Sequence, residues 1–215
     1  MESTLLVEKR TAIEKADVLI EALHWIRQFR DKITVIKLGG SVMESPEAMR
    51  HLLLDIVFME TVGMRPVVVH GGGARITRAM DAAGIQARFI QGRRITDTAT
   101  RDIVERVLAY ETNEHLVQSI EKLSGRAAAL NFRTNNVLFG RRLQLAGDDG
   151  QPMDLGHVGE ITRVDRITID NLCHAGIVPV IPSMCLTDDD ERDKLNVNAD
   201  TAAVAWPLLR ERGLP

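Results

Sequence analysis

Lys37 stands two residues ahead of a glycine pair in Ile33-Thr-Val-Ile-Lys-Leu-Gly-Gly-Ser41, and that order of residue types suits the handling of phosphate. The apolar run Ile33 to Leu38 predicts a buried strand that ends in a turn at Gly39 and Gly40. Lacking Cβ atoms, these glycines permit tight dihedrals and let a ligand approach the backbone. Bare N–H groups at a strand end cradle phosphate oxygens, and Lys37 brings a point charge to the same place. A second turn, His70-Gly-Gly-Gly73, ends another apolar run, Pro66 to Val69. Three glycines in a row exceed what a strand-to-helix turn needs. Two such strand ends predict a reaction centre above the carboxyl edge of a parallel sheet, where open α/β folds bind ligands. Neither turn has Walker spacing or the dinucleotide fingerprint, so phosphate binding here implies a different architecture.

Other residues compete for chemical roles. The stretch from Phe89 to Thr98 is polar and rich in donors, with Gly92-Arg-Arg-Ile-Thr96 at its centre. Arg93 and Arg94 read either as surface charges or as carboxylate anchors, since a guanidinium grips a carboxylate through two parallel hydrogen bonds. Asn196, Asn198 and Asp200 introduce an alanine-rich helical pattern, and one of them is expected to cap it. Asp200 lies too far into that pattern to be the obvious cap. His157, in Leu155-Gly-His-Val-Gly159, reads as a turn or core histidine. Cys173 and Cys185 lie in apolar surroundings without metal-ligand spacing and read as reduced core residues.

The elements that must position these residues alternate along the chain. Residues 12–29 form a helical pattern with Ala16, Val18, Leu19, Ala22, Leu23, Ile26 and Phe29 on one broad arc. An arc that wide serves either its own domain alone or also a neighbouring subunit. Ser45 and Pro46 open a helix that stops at Gly63, strand 65–70 follows, and a short helix from Ala74 ends before Gly84. Asp97 or Thr98 caps a helix of about 99–123; Ala127 to Phe132 is a short strand, and 137–164 is hairpin-like with a turn at Gly147-Asp-Asp-Gly150. A helix near 166–175 precedes a buried strand at Ile177 to Ile181, and Asp188 to Lys194 reads as a solvated charged loop. This alternation predicts an α/β fold, with residues 33–203 in three layers around a mainly parallel sheet. Both glycine turns should lie at one edge of it.

Composition narrows the classes. The 215 residues suffice for one large domain or two small ones, and 45% hydrophobic with 27% charged is an ordinary globular balance. Aromatic residues make up only 4%, so the core must be aliphatic. A net charge of −3 and no long basic run disfavour nucleic acid and anionic membrane surfaces as partners. No signal-peptide pattern and no apolar run of membrane-spanning length stand out, so a cytoplasmic location is expected.

Together the motifs resemble the amino acid kinase superfamily and, within it, the acetylglutamate kinase family. The resemblance rests on Val35-Ile-Lys-Leu-Gly-Gly40, Val68-Val-His-Gly-Gly-Gly73, Gly92-Arg-Arg-Ile-Thr96, Leu155-Gly-His-Val-Gly159 and Asn196-Val-Asn-Ala-Asp200. It implies ATP-dependent phosphorylation of the side-chain carboxylate of N-acetyl-L-glutamate, the second step of arginine biosynthesis. Magnesium would be carried by the nucleotide, with no metal bound by the protein. By the same resemblance, Lys37 stabilises charge on the phosphoryl group and Gly40 and Gly73 hold phosphate oxygens, with Gly39 beside them. Gly72 and Gly73 flank the acylamino acid, Arg94 with Asn196 holds its other carboxylate, and Asp200 orients the cationic groups. Residues 1–32 resemble the N-terminal extension of the arginine-inhibited branch, whose helices interlace dimers into a hexameric ring. Residues 33–215 correspond to the acylglutamate-binding lobe. Family members continue for roughly another third of their length, which holds adenine and ribose contacts and a second lysine. For the 215 residues alone, weak turnover or none is therefore expected. The alternative is a non-catalytic acylglutamate-binding or oligomer-forming module.

Overall fold

The computed structural model describes residues 2–146, 152–189 and 192–208. The chain opens with α1 (Glu2–Phe29), β1 (Ile33–Leu38), α2 (Gly40–Glu44), α3 (Pro46–Thr61), β2 (Arg65–His70) and α4 (Gly73–Ala82). A two-residue pair, β3 (Phe89–Ile90) and β4 (Arg93–Arg94), precedes α5 (Thr98–Glu105), a π-helical segment (Arg106–Thr112) and α6 (Asn113–Lys122). Next come β5 (Ala127–Ala129), β6 (Leu138–Arg142), β7 (Leu145–Ala146), β8 (Pro152–Met153) and β9 (Gly159–Val164). The described chain closes with α7 (Arg166–His174), β10 (Val178–Pro182), β11 (Met184–Thr187), β12 (Lys194–Asn196) and α8 (Ala199–Leu208).

The central sheet runs β1-β2-β10-β5, and every pairing in it is parallel. Successive strand residues point to opposite faces, so a strand covered on both sides reads as a continuous apolar run. Val68 accordingly packs with Leu53 and Ile56 of α3 and Leu116 and Ile120 of α6. Val67 and Val69 pack on the other face with Ile169 and Cys173 of α7 and Ala202 of α8. That second face also meets Leu138, Cys185 and Leu195 of a mixed sheet ordered β12-β11-β6-β9. The β6–β9 pair is antiparallel, as the hairpin-like pattern predicts; the turn expected at Gly147–Gly150 lies outside the described residues. In the β1–β2 register Leu38 is opposite His70, so both glycine turns leave the same edge.

Local signals account for most element ends. The side chains of Ser45, Asp97 and Asp165 accept hydrogen bonds from Ala48, Thr100 and Thr168 N–H, each capping a helix. Cys173 and Cys185 are both buried free thiols, with burial raising their pKa to about 11 and about 12. Four expectations need correction. Strand β5 stops at Ala129 rather than Phe132, where Asn131 turns the chain by accepting from Arg133 N–H. The helix expected over 99–123 is interrupted by the π-helical segment. The loop expected to be solvated places Asp193 at 14% side-chain exposure, where it takes ion pairs from Arg101, Arg142 and His157. Two guanidinium groups and an imidazole from separate elements satisfy that carboxylate, which makes its burial tolerable. Nor does α1 bury its arc on its own domain: Val18 is 64% exposed and Leu19 70%.

Candidate functional site

Above the glycine edge lies a cavity of about 240 Å³. Its lining includes Lys37, Gly40, Gly72, Gly73, Arg94, Asn196 and Asp200, which sequence motifs far apart contribute. Gly39 is not among the lining residues; it is the N-cap of α2, one step behind Gly40. Neither α2 nor α4 has a side-chain cap at its N-terminus, so the first amides of both helices remain available to an anion.

Lys37 lies at the end of β1, and its Nζ is 2.8 Å from Oδ1 of Asp200 in the first turn of α8. The cap of that helix is Asn198, whose Oδ1 accepts from the N–H groups of Asp200 (2.9 Å) and Thr201 (3.1 Å). Capping at Asn198 is what leaves Asp200 free to face Lys37. The Asp200 carboxylate is 72% exposed, and such a pair adds little to stability. Its consequence is orientation: the ammonium is held over the mouth of the glycine turns.

Arg94 is the opposite case. It is 7% exposed, and its guanidinium donates to Thr77 Oγ1 (2.8 Å), to the Gly73 carbonyl (3.2 Å) and to the Met80 sulfur (3.1 Å). It also lies 4.7 Å from the centroid of the Phe89 ring. Burial lowers its pKa, partly offset by Asp81, yet a guanidinium stays charged. No carboxylate pairs with it among the described residues. A buried cation whose acceptors are a hydroxyl, a carbonyl and a thioether is short of one anion.

Asn196 is tied to two other motifs through the backbone. Its N–H donates to the His157 carbonyl (2.8 Å), and His157 N–H donates to Thr96 O (2.6 Å). The Asn196 amide also donates to Thr96 Oγ1 at 3.3 Å. The His157 ring, 13% exposed, pairs through Nδ1 with Asp193 Oδ2 at 2.8 Å. His157 is thus a turn residue that joins the strand of Arg94 to that of Asn196.

Four lining residues are not marked by the sequence motifs: Ile76, Ser183, Phe89 and Leu108. Ser183 N–H donates to the His70 carbonyl and its own carbonyl accepts from Val197 N–H, linking two motifs across the sheet edge. Phe89 borders the donor-rich stretch that was recognised, whereas nothing local marks Leu108.

The sequence profile of the amino acid kinase family matches residues 32–206. The chain is 38% identical over 201 residues to the acetylglutamate kinase of Novosphingobium aromaticivorans, covering 89% of this chain and 66% of that relative. It is 40% identical over 206 residues to the acetylglutamate kinase of Thiobacillus denitrificans, covering 94% of this chain and 70% of the relative. The chain thus spans about two thirds of the length of the curated relatives it matches. Among solved structures, smu.665 from Streptococcus mutans UA159 superposes with a TM-score of 0.69 at 26% identity, covering 82% of this chain and 69% of that one.

Proposed function

Because this chain belongs to the amino acid kinase family, we propose that it takes part in phosphorylating the side-chain carboxylate of N-acetyl-L-glutamate with ATP. The observation that carries the reading is Arg94: a buried guanidinium lacking an anion, beside Gly73, in the cavity that also holds the Lys37–Asp200 pair. In this proposal Arg94 grips the carboxylate that does not react, with Asn196 beside it, and Gly72 and Gly73 flank the acylamino group. Lys37 neutralises charge on the phosphoryl group, Asp200 aims it, and the amides at Gly40 and Gly73 hold phosphate oxygens. Such a division suits phosphoryl transfer, which demands positioning and charge neutralisation. A carboxylate is already a nucleophile, so no general base is needed.

Magnesium, in this reading, arrives on the nucleotide phosphates. Among the described residues Asp200 is the one carboxylate lining the cavity, and it is paired with Lys37, a donor set that does not make a protein metal site. The named activity of relatives at 38% to 40% identity favours the kinase over a non-catalytic binding module. A cytoplasmic location accords with two buried reduced thiols, and among the described residues no helix is long and apolar enough to cross a membrane.

Calorimetric titration tests the substrate. N-acetyl-L-glutamate should bind in the range of ~1 μM–1 mM, while glutamate and aspartate should bind far more weakly. Acyl phosphate trapped with hydroxylamine in the presence of ATP and magnesium would extend the result to catalysis. Equal affinity for glutamate and its N-acetyl form would remove the acylamino assignment.

Residues 1–32 are proposed as an oligomerisation helix ahead of the acylglutamate-binding lobe, giving a homodimer or hexamer. Support comes from α1, where Val18, Leu19, Leu23 and Phe29 are all more than 40% exposed and Trp25 stacks on Phe29 with centroids 6.3 Å apart. Leaving so many large apolar side chains in water is unfavourable. Light scattering at micromolar concentration should give a multiple of 23.9 kDa, falling to that monomer mass in Leu19→Glu/Leu23→Glu. A parent chain already monomeric would count against the assignment.

A further inference from the structure

The helical stretch from α5 to α6 winds as a π-helix over Arg106–Thr112. In an α-helix, residues five apart are separated by about 140° around the axis, given 3.6 residues per turn. Hydrogen bonding from i to i+5 widens the turn and brings such residues onto one face instead. Among the pairs this turns towards one side is that of Leu108 and Asn113, with Asn113 N–H bonded to the Leu108 carbonyl.

Leu108 meets the glycine turn directly, and Asn113 reaches it through His70. Leu108 is buried in the cavity wall, and a Cβ on Gly72 would stand 2.6 Å from its Cδ2. No side chain other than hydrogen fits there while Leu108 keeps its place. Asn113, fully buried, donates from Nδ2 to the Val180 carbonyl (2.9 Å) and reaches Nε2 of His70 (3.1 Å). Its Oδ1 accepts from Asn131 Nδ2 at 3.1 Å, so the amide is held from both ends. His70 in turn places Nδ1 3.1 Å from the Gly71 carbonyl. Only one tautomer satisfies these partners: Nδ1–H donates to Gly71 and Nε2 accepts from Asn113. The turn therefore rests on two supports, Leu108 beneath Gly72 and the Asn113–His70 pair beneath Gly71. An uninterrupted α-helix would aim only one of the two side chains at the turn. The winding has a cost, since the Thr112 hydroxyl at its end is buried with no partner among the described residues.

We propose that the π-helical segment is a positioning device for the Gly71–Gly73 turn, acting through Leu108 and Asn113, which set the turn at the depth an acylated amino acid requires. The proposal rests on Gly72 and Gly73 belonging to the N-acetyl-L-glutamate site. Asn113→Ala removes one support; Leu108→Val trims the other while keeping the core filled; His70→Gln keeps an acceptor towards Asn113. Two readouts are needed: the amide resonances of Gly71, Gly72 and Gly73 in the ligand-free protein, and the Kd for N-acetyl-L-glutamate. Asn113→Ala should shift or broaden the glycine resonances and raise Kd about five- to tenfold, the scale of one lost neutral hydrogen bond. Leu108→Val should move both in the same direction by less, and His70→Gln should stay within about twofold of the parent. Should Asn113→Ala fail to fold, Leu108→Val decides. Glycine resonances and Kd unchanged in the folded variants, with only a lower melting temperature, would overturn the positioning role. If the parent itself does not bind N-acetyl-L-glutamate, the substrate assignment falls, and the glycine resonances still decide whether the segment positions the turn.

Discussion

Arg94→Met should weaken N-acetyl-L-glutamate binding by about 10²-fold or more and leave the melting temperature equal or higher. The loss follows from burial. Arg94 is 7% exposed, so its pairing with a bound carboxylate is little screened, and truncating one partner of such a pair costs ~2–5 kcal/mol. The stability side has the opposite sign. In the free protein the guanidinium has a hydroxyl, a carbonyl and a sulfur as acceptors, with burial lowering its pKa. Replacing a poorly compensated buried charge by an apolar side chain of similar volume is often neutral or stabilising. Loss of binding together with retained stability is the signature of a group kept for its ligand. Arg94→Lys should recover only part of the affinity, because an ammonium lacks the two-pronged geometry. Calorimetry and thermal melting on the same samples decide the matter. Unchanged Kd with a collapsed melting temperature would make Arg94 a structural residue.

Acidification from pH 6.5 to pH 4 should remove about 3 kcal/mol of folding stability through His70 alone. Burial lowers its pKa from 6.5 to about 4; the Gly71 carbonyl opposes that shift and Arg75 adds to it. The folded state thus resists a proton that the unfolded state accepts. About a unit or more above pH 6.5 neither state is protonated at this site and the stabilisation is complete. Between 6.5 and 4 only the unfolded chain takes up the proton, so stability declines as pH falls. Protonation would also cancel the acceptor that Asn113 uses. Asp97 is held below its usual value of 3.8 by hydrogen bonds from Thr100, so its own contribution is lost mostly at and below that value, beneath the range of pH 7 to 5 where the comparison is made. Urea midpoints at pH 7, 6 and 5 should fall steadily in the parent and stay nearly level in His70→Gln. A parallel decline in both proteins would show that His70 is not the group responsible.

What could be read from the sequence is what depends on neighbours along the chain. The buried strands over 33–38 and 65–70 show as unbroken apolar runs, and the caps at Ser45 and Asp97 bond to N–H groups three residues on. The glycine turns, Lys37, Arg94 and Asn196 were legible as residue types at fixed spacing, and the parallel alternation placed both turns at one edge. Contacts between distant segments carry no local period. Only the packing of α8 against β1 decided that Asp200 pairs with Lys37 while Asn198 takes the cap. The stretch from Asp188 to Lys194 looked solvated because its own residues are charged, and Asp193 became largely buried against Arg101, Arg142 and His157 arriving from three other elements. The breadth of the α1 arc was visible, but its exposure was not, since that depends on where the rest of the domain folds. The π-helical winding of 106–112 left no sequence signature. Its residues suit an α-helix, and what favours the alternative is a buried histidine and a glycine turn that the tertiary structure brings against Asn113 and Leu108.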